Sequence, residues 1–240
     1  MSHFTFNSAE LAVLINHMTG GRLLEKTAAL PELMVDEHAL EAAEEELLDR
    51  GLLVSLPFEE VSGVTSQLAS VLSAAITPDR VCIVRTVHGD HTDPPVFFSF
   101  TPECVTRNQA GADGQHVFAR LADPDEAVSA ILGAGAPESS GVEAAGSKAA
   151  AKKGAVRKTP AKKGKPRPVA ELLPEATRLV MLMLVADPAE PSAAAASLSW
   201  VETEAGLWLV DGASDGEAPL AAPVAEKALR QRIAAALEGG

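Results

Sequence analysis

Apolar residues recur along this chain in two rhythms, and the change between them divides it. The first rhythm is helical. Leu11, Leu14, Ile15 and Met18 fall on one face of a helix expected from about Ala9 to Met18, with Ser8 as cap and Gly20-Gly21 as stop. Leu23 to Val35 is less regular and is broken at Pro31. A second helix is expected after Asp36, with Ala39, Leu40, Ala43, Leu47 and Leu48 in one stripe and Glu41, Glu44, Glu45 and Glu46 on the other face. It ends at Arg50-Gly51, and Leu52 to Val54 continues as an extended piece. A third helix from about Val64 to Ala75 turns Leu68, Val71, Leu72 and Ala75 inward.

From Arg80 the rhythm is that of strands. Val81 to Val87 is one, Val96 to Phe100 a second that can resume at Cys104 to Thr106, and Gln115 to Leu121 a third. Asp123-Pro124 then opens a helix to about Leu132. Between Gly133 and Ala170 no apolar period survives, and Gly, Ala, Ser, Pro and Lys dominate, as in a disordered linker. Beyond it, strands are expected at Arg178 to Ala186, Ser197 to Glu202 and Leu207 to Val210. A helix opening at Pro219 or Pro223 then runs to Leu237.

The second set repeats the first. Arg80-Val-Cys-Ile-Val answers Arg178-Leu-Val-Met-Leu, Phe97-Phe-Ser-Phe answers Leu198-Ser-Trp-Val, and Ala110-Gly111 answers Ala205-Gly206. The pattern predicts an α+β protein: an N-terminal helical region of winged-helix-like form (1–76), a first β-rich lobe (77–136), a disordered basic linker (137–170) and a second β-rich lobe (171–240). The lobes read as pseudo-repeated antiparallel βββα units. Three strands under one helix bury little, so the lobes are expected to join edge to edge. Val81 to Val87 and Leu179 to Val185, nearly continuous in apolar residues, suit central strands buried on both faces.

Charge sharpens this division. Lys148 to Arg167 carries nine basic residues and no acid, which leaves 11 basic against 33 acidic residues elsewhere. Lys152, Lys153, Arg157, Lys158, Lys162, Lys163, Lys165 and Arg167 form an electrostatic tether between two acidic bodies. The tether either grips nucleic acid or an acidic partner, or is a solvated spacer that touches its own lobes. The acidic second helix lacks the Arg and Lys of a DNA-reading helix.

Chemistry is sparse. Cys82 and Cys104 lie in strand-like surroundings and read as reduced core thiols. No nucleophile elbow, phosphate loop or calcium loop occurs. His88-Gly-Asp-His-Thr-Asp93 brings two His and two Asp together, but Gly, Asp and Pro are the residues of a tight polar turn, and no metal or cofactor is expected. The longest apolar run, Leu179 to Ala186, is too short to span a bilayer, where about 20 residues are needed. The N-terminus has no secretory pattern, so a cytoplasmic protein is expected. Trp200 and Trp208 flank a hairpin turn with Leu207; either both belong to the core, or one does and the other is an exposed anchor for a partner, since Trp is favoured at binding hot spots.

The order of parts resembles the EspG-type chaperone family of type VII (ESX) secretion. The likeness runs from Phe6-Asn-Ser-Ala-Glu-Leu-Ala-Val-Leu, through Leu40 to Leu53 with its Arg-Gly-Leu turn, to Leu198-Ser-Trp-Val-Glu-Thr-Glu-Ala-Gly-Leu-Trp-Leu-Val. Leu207-Trp208 stands where that family has an Arg-Tyr type turn, and the long basic linker is a second departure. The resemblance implies a quasi-two-fold α+β fold and a non-catalytic adaptor that binds the tips of secreted helical hairpins. Partner contact is expected through a hairpin or sheet edge at Trp200, Leu207 and Trp208. The alternative is a nucleic-acid-associated regulator working through the Lys-rich segment.

Overall fold

The computed structural model describes residues 3–20, 33, 36–55, 62–111, 114–134, 164–188, 194–211 and 218–238. The elements are β1 (His3–Phe6), α1 (Ser8–Thr19), α2 (Glu37–Asp49), β2 (Leu53–Ser55), β3 (Ser62–Val64), α3 (Ser66–Ile76), β4 (Arg80–His88), β5 (His91–Thr92), β6 (Val96–Phe100), β7 (Val105–Ala110), β8 (His116–Leu121) and α4 (Pro124–Gly133). After the basic segment come β9 (Arg167–Pro168), α5 (Val169–Leu172), a 3₁₀ turn at Leu173–Glu175, β10 (Ala176–Val185), β11 (Ala194–Thr203), β12 (Gly206–Val210), β13 (Leu220–Val224) and α6 (Glu226–Glu238).

One large antiparallel sheet dominates, in the order β1-β8-β7-β6-β4-β10-β11-β12-β13-β9, with β5 folded onto β4. The two halves meet at β4 and β10, which pair antiparallel from Leu179 against Val87 to Val185 against Val81. Outward from this seam each half has four meandering strands and then a helix. The expected three strands per lobe are therefore corrected to four. Val105–Ala110 was underestimated because it is largely polar, although Thr106 and Asn108 are buried. Leu220–Val224, where the expected helix opens at Pro219 or Pro223, is instead a strand that pairs with both β12 and β9. The last helix begins only at Glu226. Arg167–Pro168, inside the expected linker, is a strand, and most of that linker lies outside the described residues.

Side-chain alternation gives the sheet two unequal faces. Cys82, Val84, Phe98, Val180, Leu182, Leu184, Trp200 and Leu209 point to one face, where Ile131 of α4 and Leu229, Ile233 and Leu237 of α6 close a single core. On the other face, α1, α2 and α3 enclose Phe6 and Phe118. Thr106 there donates to the Val71 carbonyl of α3 at 3.2 Å. At the far end α5 contributes Leu172, with Val169 beside it, against Val201 and Ala221.

The N-terminal helices are pinned by polar groups. Asn7, not Ser8, caps α1: its side chain accepts from Glu10 N–H, while Glu10 accepts from Asn7 N–H. Glu10 is buried and ion-paired to Arg50, whose guanidinium lies 5.8 Å from the Phe6 ring centroid and reaches the Thr5 carbonyl. Thus the end of α2 is tied to the start of α1. Asp36 caps α2 as expected. β2 and β3 form a separate pair after α2. Most of Leu23 to Val35 lies outside the described residues.

Two arginines tie the halves together. Arg80 opens β4 and donates to the Leu237 carbonyl at the end of α6. Arg178, near the start of β10, donates to the carbonyls of Leu132 at 2.7 Å and Ala134 at 2.8 Å, at the end of α4. It also pairs with Glu202. Each arginine thus caps the helix of the opposite half, where unpaired carbonyls and the helix dipole favour a cation.

Two outcomes are expected from this packing. Arg178→Met loses charge-assisted bonds at a largely buried site and costs about 2 kcal/mol in urea unfolding, whereas exposed Arg230→Ala costs about 0.5 kcal/mol or less. The second concerns His116, buried on β8 with Ser8 Oγ at 3.5 Å. Burial lowers its pKa from the ordinary 6.5. The unfolded chain therefore takes up the proton first, so stability is whole above about pH 6.5 and falls as pH drops through that value. His116→Asn is expected to flatten this part of the stability–pH curve, measured by urea midpoints from pH 7.5 to 5.

Candidate functional site

The expected hairpin site is taken apart by the sheet register. Trp200 pairs with Leu209, and Val201 with Trp208, so the two indoles point to opposite faces. Trp200 is completely buried in the core under α4 and α6, and its N–H finds no acceptor among the described residues. Leu207 is half-buried against the same core, and Trp208 is half-buried beside Val201 and Leu172. Nor does this hairpin offer an edge: β11 lies between β10 and β12, and β12 between β11 and β13. The unrecognised strand β13 occupies the edge that β12 was expected to leave free.

Of the basic residues, Lys152, Lys153, Arg157, Lys158, Lys162 and Lys163 lie outside the described residues. Lys165 is exposed. Arg167 is engaged by the protein itself. Its guanidinium sits 5.7 Å from the Trp208 ring centroid and pairs with Glu175 at 3.0 Å. Its hydrogen bond to Glu175 holds that carboxyl below the ordinary carboxylate range. Arg167 thus acts as a clasp on the short edge strand β9.

The face opposite α4 and α6 leaves a strip open near the seam. Across it run Phe97, Ile83, Met183 and Ser197 in one row, and Arg85, Met181 and Ser199 in the next. Arg85 and Ser197 are exposed, Met181 is 37% exposed, and Met183, Phe97 and Ser199 are half-buried. The central strands are therefore not buried on both faces along their whole length. The sequence hides this, because Met181 and Met183 alternate with Val180, Leu182 and Leu184 in one apolar run and only the tertiary cover distinguishes them. Methionines flanked by small serines form an adaptable contact surface.

The remaining candidates for chemistry among the described residues lie apart from this strip. Burial pushes the Cys82 thiol up to about 12, which keeps it protonated and unreactive. Cys104 is half-buried beside Thr101 Oγ1 and the Ser70 carbonyl, each at 3.8 Å. It lines a shallow groove of about 650 Å³ between α3 and the Thr101–Cys104 turn, whose lining contains no His, Lys or Arg. At the β4–β5 turn, His88 Nε2 and His91 Nε2 lie 3.2 and 3.4 Å from the two oxygens of Asp93. As they stand these donors make no ready metal sphere, and none exists among the described residues.

Comparison with known proteins bears on the fold. No family model and no curated protein matches the chain. Among solved structures, the chain is similar to the Mycobacterium tuberculosis type VII secretion system chaperone EspG5, in its complex with the PE25–PPE41 dimer. The likeness has a TM-score of 0.57 at 10% identity and covers 99% of this chain and 96% of that one. The likeness is one of fold: a large antiparallel sheet with helices. No helix among the described residues is long and apolar enough to cross a membrane.

The opposed tryptophans give a direct check. With Trp208→Phe, the remaining Trp200 emission is expected to be blue-shifted and nearly resistant to acrylamide. With Trp200→Phe, Trp208 emission is expected to be quenched several-fold more strongly. Equal quenching of the two variants contradicts the register.

Proposed function

We propose that this chain is a non-catalytic binding protein, a cytoplasmic chaperone for a secreted helical partner of the type VII kind. The observation that carries the reading is the EspG-like fold along the whole chain. The chaperone of that fold in the solved complex holds a PE25–PPE41 dimer. The open sheet strip supports a binding role, since a partly apolar surface beside a cation suits the apolar and polar ends of a helical tip. The partner is placed on Arg85, Met181, Met183 and Phe97, not on the Trp200 hairpin.

In the same reading the two halves are a repeated unit. Cys82 pairs with Phe98 in one half as Val180 pairs with Trp200 in the other, and both aromatics are fully buried. The N-terminal helices with β2 and β3, winged-helix-like in order, then act as a cover for the first half. The nucleic-acid alternative draws no support from the fold, and Arg167 is already spent on Glu175 and Trp208.

The test is co-expression of the full chain with paired helical secreted proteins of the PE–PPE type, followed by co-purification and calorimetry. A stable complex is expected. Arg85→Glu with Met181→Glu is expected to weaken it about 30-fold, the loss of one hot spot, without changing the circular dichroism spectrum. A complex unaffected by the double variant moves the contact to another face; no complex with any such pair overturns the chaperone reading.

A further inference from the structure

Register gives the open strip a symmetry that its chemistry breaks. Val84 faces Leu182 in the middle of the seam. Arg85 with Met181 on one side of that pair answers Met183 with Ile83 on the other. The relation extends one strand outward in each half, where Phe97 lies beside Ile83 and Ser199 beside Met181. A half-turn about the seam therefore exchanges Ile83 with Met181, Phe97 with Ser199 and Arg85 with Met183. By strand alternation all six belong to the face away from α4 and α6.

The two sides of this pseudo-axis differ in cover and in charge. Ile83 is only 9% exposed and packs with Phe97 and Met183. Met181 is 37% exposed, and Arg85 is exposed beside it. Arg50, Arg167, Arg178 and Arg230 are each held by a carboxylate, whereas Arg85 has no hydrogen-bond or ion-pair partner among the described residues. On a chain of formal net charge −13, this cation stands uncompensated next to an apolar row. The dimensions suit one helix. The axes of β4 and β11 are about 9.5 Å apart, close to a helix diameter of about 10 Å. Residues two apart along a strand are separated by about 6.7 Å, and side chains one turn apart on a helix by about 5–6 Å. A helix along the strands thus sets one residue on the Arg85 row and the residue one turn away on the Ile83 row.

We propose that Arg85 fixes the orientation in which a helical partner seats on this strip. A carboxylate of the partner pairs with Arg85, and apolar side chains one turn away rest on Ile83, Met183 and Phe97. This inference rests on the chaperone reading and adds to it the chemistry of the partner's contact segment. A strip of near two-fold symmetry lined by apolar groups alone accepts a helix in either sense at similar free energy. One cation on one side of the axis disfavours the reversed sense, which places the partner's carboxylate on Met183 and leaves Arg85 covered without a counter-charge.

The test uses the full chain with a co-expressed PE–PPE-type pair that it retains. Photo-crosslinking residues are placed at exposed Thr92 and Ser197, which lie on the rows either side of the Arg85 row. They are expected to mark opposite ends of the partner's contact segment. Arg85→Glu is expected to weaken the complex at least about tenfold, and changing the contacting partner carboxylate to Lys is expected to restore it. Arg85→Met with Met183→Arg moves the cation across the axis. It is expected to exchange or scatter the two sets of cross-links while the circular dichroism spectrum stays unchanged. Three outcomes overturn the proposal and leave the chaperone reading standing: cross-links that keep their places in that variant, an Arg85→Glu chain that binds as the parent does, or a loss that no acid-to-Lys change in the marked segment restores. Failure of the parent chain to retain any such pair is a separate outcome, which removes the chaperone reading and this inference with it.

Discussion

The fold depends on the antiparallel pairing of β4 with β10. The first half closes one core with α1, α2 and α3, but on the opposite face each half offers four strands with one helix, and there neither closes a core alone. Pairing at the seam joins them into one sheet and lets α4 and α6 lie side by side over a shared core that contains Phe98 and Trp200. The two crossed arginine caps make the pairing specific. Arg80 and Arg178 stand at the starts of the two central strands, and the antiparallel arrangement carries each to the helix end of the other half. A slip by one residue would exchange every inward side chain for an outward one and strand both guanidiniums among apolar groups.

From this constraint follows the asymmetry of the faces. On one side α4 and α6 cover the central strands. On the other, α1, α2 and α3 come before β4, whereas the described residues directly before β10 form α5 and a 3₁₀ turn. The strip around Arg85 and Met181 is the part of the seam that neither covers. A continuous sheet with one face only partly covered is a scaffold for presenting a surface. The acidic balance of the chain outside Lys148–Arg167 is consistent with a soluble surface that repels nucleic-acid backbones.

Local polar chemistry secures the margins. The Asn7–Glu10 box and the Arg50 pair hold α1 against α2, and Arg167 clasps β9 between Glu175 and Trp208. The sheet thus ends in two short strands, one of four residues and one of two, which limits the unpaired backbone at either edge.

The sequence by itself determined the helices at the start, the positions of the central strands and the correspondence of Arg80 with Arg178, because these rest on local periodicity, capping and strand length. The charge of the tether was equally legible. It did not determine the fourth strand of each half: Val105–Ala110 is polar because its neighbours supply the burial, and Leu220–Val224 carries a proline whose missing N–H is tolerated beside a two-residue edge strand. Nor did it say which tryptophan is core, since two residues of one hairpin are assigned to faces only by register. Whether Met181 meets solvent while Leu182 meets Ile233's core was decided by the tertiary structure alone, because both are apolar residues of one strand and only the unequal helical cover of the two faces separates them.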